Sequence, residues 1–163
     1  MVDEDDIDVN VDEVITRVRK TASDMVFSAS IQVIRNLQRQ VDQELANMHF
    51  ALADIFKLAP RVSTMTKAAI RIIKMNPALR DAVSKILSEG FNVPLLALSK
   101  DYAEYFPIEI TLSGDLDTAY DRCVDAGEDE VEKLLRQIYC GYALLTLVSL
   151  IGVTKSPSTI MSE

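Results

Sequence analysis

From residue 11 to residue 59 the chain contains neither glycine nor proline, and its apolar residues recur at 11, 15, 18, 22, 26, 29, 33, 37, 41, 45, 48, 52, 55 and 59. Steps of three and four are what one face of an α-helix requires. Their mean of about 3.7 residues per turn suits a straight or slightly right-handed helix better than a left-handed heptad coil. Unbroken, such a helix would reach roughly 70 Å at ~1.5 Å per residue, longer than a small domain is wide. It must therefore project or break. The best place for a kink is 21–24, where Thr21 or Ser23 offers a cap and Asp24 suits the positive end of a new helix. Pro60 lacks a backbone donor and disfavours helix at Ala59, which predicts the end of this unit there.

Punctuation is frequent beyond that point. Ser63 or Thr64 is a candidate cap for a helix ending near Met75, and Asn76 followed by Pro77 is a cap with its first-turn residue. Gly90 marks the end of that second helix, and Pro94 the start of a short apolar one to Tyr105, bounded by Pro107. Ile108, Ile110 and Leu112 then alternate with Glu109 and Thr111 as in a strand. Five such residues with no visible partner predict an extended connector or a small edge ribbon. Helices over 115–125 and 129–153 complete the pattern. The expected fold is all-α: a helical bundle with one long N-terminal helix, several shorter ones and at most a minor extended segment at 108–112. Residues 1–10 read as an acidic disordered tail, 11–153 as a single helical domain and 154–163 as a polar tail.

A chain of 163 residues with 48% apolar content is long enough and apolar enough for one real core. Two cysteines, Cys123 and Cys140, and an acidic start without a signal-peptide pattern lead to the expectation of reduced thiols in a cytoplasmic or other reducing compartment. The net charge of −8 is unevenly placed. Residues 1–13 hold seven acids and no base, and 86–140 hold twelve acids against four bases. Between them, over 57–85, Lys57, Arg61, Lys67, Arg71, Lys74, Arg80 and Lys85 face only Asp81. Such blocks suit contact between oppositely charged surfaces of two copies, or between the basic block and a separate anion.

Residue sets that support catalysis are missing. His49 is the sole histidine, Glu44 precedes it by five residues instead of three, and the cysteines lie far apart, so histidine-based metal centres, di-iron bundles and structural zinc sites are disfavoured. No two of Gly90, Gly114, Gly127, Gly141 and Gly152 are close enough to build a phosphate loop, a dinucleotide turn or a nucleophile elbow. Asp6, Asp8, Asn10 and Asp12 alternate as in a calcium loop, but Val11 stands at its turn position and Arg17 at its bidentate position. Asp117, Asp121 and Asp125 recur on one helical face, and a solvated acidic face explains them better than a bound cation. The expectation is a protein without enzymatic activity, metal or cofactor.

Two surfaces remain as partner-binding candidates. Lys67, Arg71 and Lys74 fall at i, i+4 and i+7 and form a cationic helical face. Val26, Val33, Leu37, Val41, Leu45 and Leu52 form an apolar one. Nucleic acid is disfavoured as a partner, because no aromatic residue lies between Phe56 and Phe91 to stack on bases and the sequence pI is 4.7. The 18 uncharged residues of 137–154 are long enough to cross a thin bilayer. Gln137, Gly141, Thr146, Ser149 and Gly152 dilute their hydrophobicity, which favours a core helix over a span. The leading reading is a structural or assembly protein that self-associates or binds a protein partner, as a subunit of a shell, filament or complex would. The alternative is a tail-anchored membrane adaptor spanning the bilayer through 137–154.

Overall fold

The computed structural model describes residues 4–47, 52–94 and 109–154 of the chain. Along them run α1 (Glu4–Asn47), α2 (Leu52–Met75), α3 (Pro77–Glu89), β1 (Phe91–Pro94), β2 (Glu109–Leu112), α4 (Ala119–Asp125) and α5 (Glu130–Thr154). The fold is all-α, with one two-stranded ribbon among the described residues.

The fold is organised around α5. This helix is apolar nearly all round between Leu134 and Ile151, and it packs against α1, α2, α3, α4 and both strands. Ile138, Cys140, Ala143, Leu145 and Val148 are fully buried. A helix that is hydrophobic on every side has to be surrounded, and the other elements supply the surround. Its two glycines set how closely they approach. A Cβ at Gly141 would meet the Thr66 hydroxyl and lie 2.7 Å from Val62 Cγ1 of α2. A Cβ at Gly152 would fall against Ile31 and within 2.9 Å of Arg35 Nη2 of α1. Both glycines thus admit a neighbouring helix that a side chain would hold off.

On the α1 side, Phe27, Ile31, Ile34 and Val41 enter the core, with Leu37 and Leu45 half-buried beside them. Polar groups fasten the same seam: Gln38 Nε2 donates to Thr146 Oγ1 at 3.1 Å, and Arg35 Nη2 to the Ser149 carbonyl at 3.3 Å. The helix runs through 21–24 without interruption, so the expected break is not found there. Its backbone is already helical at Glu4, inside the acidic run read as a tail. His49 lies outside the described residues.

Pro60 does not end a helix, contrary to the sequence reading. It sits well inside α2, which begins at Leu52 and needs no cap at Ser63 or Thr64. Ile55, Leu58, Ala59, Val62, Thr66, Ala69 and Ile73 form one buried stripe that continues across the proline. Pro60 itself is on the solvent side, so the backbone bond it forfeits lies where water can take it, and burial on both sides of it outweighs the loss.

The Asn76–Pro77 signal is read correctly by the chain. Asn76 Oδ1 accepts from the Leu79 amide at 3.1 Å and caps α3, whose inner face is Leu79, Val83 and Leu87. Beyond Gly90 the expectation fails, because Pro94 closes β1. The rest of the helix expected up to Tyr105 falls outside the described residues. β1 pairs antiparallel with β2 in the register Phe91 to Leu112, Asn92 to Thr111, Val93 to Ile110 and Pro94 to Glu109. The extended segment therefore has a partner after all, and Val93, Ile110 and Leu112 turn inward. Gly90 and Gly114, flanking the ribbon, both donate their amides to the Leu87 carbonyl.

Cys123 and Cys140 are joined in a disulfide, not reduced as expected, with their Cα atoms 6.1 Å apart. Residues on two helices 17 positions apart are brought within bonding reach only by the packing of α4 on α5. Replacing both by alanine is expected to lower the unfolding free energy by about 3 kcal/mol, as measured by urea titration. A separate variant, Gly141→Ala, is expected to cost about 1–3 kcal/mol in the same titration by forcing α2 away from α5.

Candidate functional site

The outer side of α1 is the largest departure from a simple bundle. Every residue from 11 to 22 is exposed, so the first half of the helix extends beyond the core as an arm. Its surface is not uniformly polar. Val11, Val14, Ile15, Val18, Met25, Val26 and Val33 are all exposed, Val18 by 60% and Met25 by 67%. At about 100° per residue these positions share one face roughly 120° wide, and the buried Phe27, Ile31 and Ile34 lie on nearly the opposite side. α1 thus has two apolar faces, and the described residues of the body cover only one.

This divides the predicted apolar contact residues. Val26 and Val33 lie on the free outer face. Val41 is completely buried, and Leu37 and Leu45 pack on the core, so these three belong to the protein's own interior. The sequence stripe drifts from one face to the other because its repeat is not locked to the helical period over so many turns. Leu52, on α2, is exposed together with Phe56 one turn later.

The cationic residues Lys67, Arg71 and Lys74 are exposed along one side of α2, as their spacing requires. They do not face open solvent alone. Lys74 forms an ion pair with Asp117 of the same chain, and Lys67 and Arg71 line a groove of about 230 Å³ whose opposite wall is Asp117, Tyr120 and Asp121. The acidic segment that the charge blocks would offer to another copy is here a neighbour within one molecule. Exposed ion pairs of this kind contribute at most about 1 kcal/mol each, since water screens them.

Tyr120 forms the floor of that groove. It is buried, and its hydroxyl donates to the Gln137 carbonyl at 3.2 Å. Burial pushes its phenol up to about 12, a hydrogen bond with Ser63 opposes this, and the charge of Asp121 adds to it. A phenol with a raised folded value stabilises the fold fully below its unfolded value near 10, and that contribution disappears as pH rises toward 12. Among the five tyrosines Tyr120 is expected to ionise with a midpoint near 12, read as a late step in 295 nm absorbance. Tyr120→Phe should remove that step and flatten the loss of stability in this alkaline window.

Among the described residues no group of three or more His, Cys, Asp or Glu side chains is placed to hold a metal ion. Asp117, spaced in sequence like a member of the α4 face, lies in the turn before that helix and is engaged with Lys74. The chain matches no family model, no curated protein and no solved structure.

Proposed function

We propose that the protein is a non-enzymatic assembly component that self-associates through the outer face of α1. The observation that supports this is the second apolar face itself. Monomeric soluble proteins rarely expose a contiguous apolar strip, and an extended helix gains little from one unless another surface covers it.

The charges along the arm favour a second copy in antiparallel orientation. Residues 1–13 carry seven acids and no base, and Arg17, Arg19 and Lys20 follow within two turns. Two arms laid side by side in parallel would set seven acids against seven. Laid antiparallel about Ile15, Asp12 and Glu13 of each arm lie over the basic turn that starts at Arg17 of the other, with Val11, Val14, Ile15 and Val18 between them. A twofold antiparallel pair is closed and self-complementary. The cationic groove on α2 is less suited to the role, because acids of the same chain already answer its charges.

The tail-anchored alternative finds less support. α5 is long and apolar enough to cross a membrane, with a mean hydropathy of 1.5, but 67% of that window is buried against the rest of the protein. Leaving the fold would remove the core of every other element.

Sedimentation equilibrium of the full chain at tens to hundreds of micromolar is the test. The expected result is a dimer or larger species that dissociates as salt rises, because opposite charges hold the antiparallel pair in register. Val18→Asp together with Val26→Asp should yield a monomer with unchanged helical circular dichroism, both side chains being exposed. A wild-type monomer throughout this range, or a variant that still associates, would refute the proposal.

A further inference from the structure

A pocket of about 370 Å³ opens between the end of the ribbon, α4 and α5, lined by Thr111, Ser113, Ala119, Arg122, Cys123 and Arg136 with Ala126 at its edge. Arg136 is only 8% exposed, which is unusual for a guanidinium that must stay charged. Its Nε donates to the Cys123 carbonyl at 2.6 Å, satisfying an acceptor in the last turn of α4. Among the described residues it makes no other hydrogen bond and no ion pair. Arg122 likewise forms no ion pair among the described residues. It lies across Gly114, with Nη1 2.8 Å from where a Cβ would stand, so the glycine, held at φ +96°, leaves the space its guanidinium occupies.

The contrast with the groove on α2 is informative. There each wall of cations meets Asp117 and Asp121. Here two guanidiniums share a pocket with no acidic lining residue among the described ones, although the surrounding segment is rich in acids. A buried charge left unpaired is costly, and the remedy is a counter-ion. We propose that this pocket binds the phosphate group of a small molecule, or free phosphate, between Arg122 and Arg136. Guanidinium forks donate in pairs, and the Ser113 hydroxyl at the rim adds a further donor, more than the two oxygens of a carboxylate would use and well matched to a tetrahedral oxyanion. Thr111 contributes wall only, because its hydroxyl already donates to Asn92 Oδ1 at 2.6 Å. This site is independent of self-association through α1.

Isothermal titration of the full chain with sodium phosphate and with phenyl phosphate, against sodium chloride at matched ionic strength, tests the inference. Saturable binding of at least one phosphate probe is expected. Arg122→Ala, at an exposed position that tolerates the change, should weaken it by about tenfold or more, whereas Lys67→Ala in the separate α2 groove should leave it unchanged. Arg136→Lys, which keeps the charge but loses the fork, should weaken it similarly if the variant folds. Tighter binding of phenyl phosphate would assign a phosphomonoester and tighter binding of the inorganic ion would assign free phosphate, either upholding the site. No saturable heat with either probe, or equal losses in Arg122→Ala and Lys67→Ala, would overturn it.

Discussion

The close contact of α5 with α1 and α2 at its two glycines is the constraint on which the remaining architecture depends. Gly141 admits Val62 and Thr66, and Gly152 admits Ile31 and Arg35, so that two helices approach α5 more nearly than side chains at those positions would allow. Interiors are packed at crystal-like density, and every other contact is set by this spacing. With α1 and α2 placed, α3 reaches the Leu147 side of α5, the ribbon closes one end, and α4 is brought near enough for Cys123 to bond Cys140. The disulfide is in this sense a consequence of the packing that it then reinforces.

The same packing explains why α1 carries apolar surface it does not use. A helix of 44 residues is longer than the core it lies on. Among the described residues its fully buried positions begin at Phe27, and every residue from 11 to 22 is exposed. Apolar side chains at Val11, Ile15, Val18 and Val26 are hard to explain as solvated decoration, since polar residues would hold the helix as well without the cost of ordering water around hydrocarbon. The body answers an internal demand, and the self-association proposed above would answer the one that the arm poses.

Charge in this protein is balanced locally in one place and left open in another. Along α2, Lys74 pairs with Asp117 of the same molecule, and Lys67 and Arg71 share a groove with Asp117 and Asp121, which offsets part of their charge. Around Arg122 and Arg136 the fold removes a guanidinium from water, and among the described residues no acid pairs with it. What separates the two is not composition, for both lie next to the acidic segment 115–132, but which side chains the turn before α4 directs inward. Asp117 turns toward Lys74, leaving the opposite face of α4 to the arginines.

Much of the helical architecture was legible from residue spacing, because helix periodicity, the Asn76 cap and the freedom of Gly141 and Gly152 from side chains are local properties of the chain. The all-α class, the long first helix and the cationic face at Lys67, Arg71 and Lys74 follow from such local rules. Nothing local says that Phe91 will pair with Leu112, that Pro60 will be carried within a helix by the stripe on either side of it, or that Cys123 will meet Cys140. Nor does periodicity reveal which of two apolar faces of α1 is inside: Val26 and Val41 belong to one continuous sequence stripe, and the body of the protein buries only the second. The sequence by itself determined the predominantly helical class and which stretches are charged or apolar, since those depend on neighbours a few bonds away. Only the tertiary structure decided which of those surfaces face each other, because that choice is made by groups distant in the chain competing for the same space around α5.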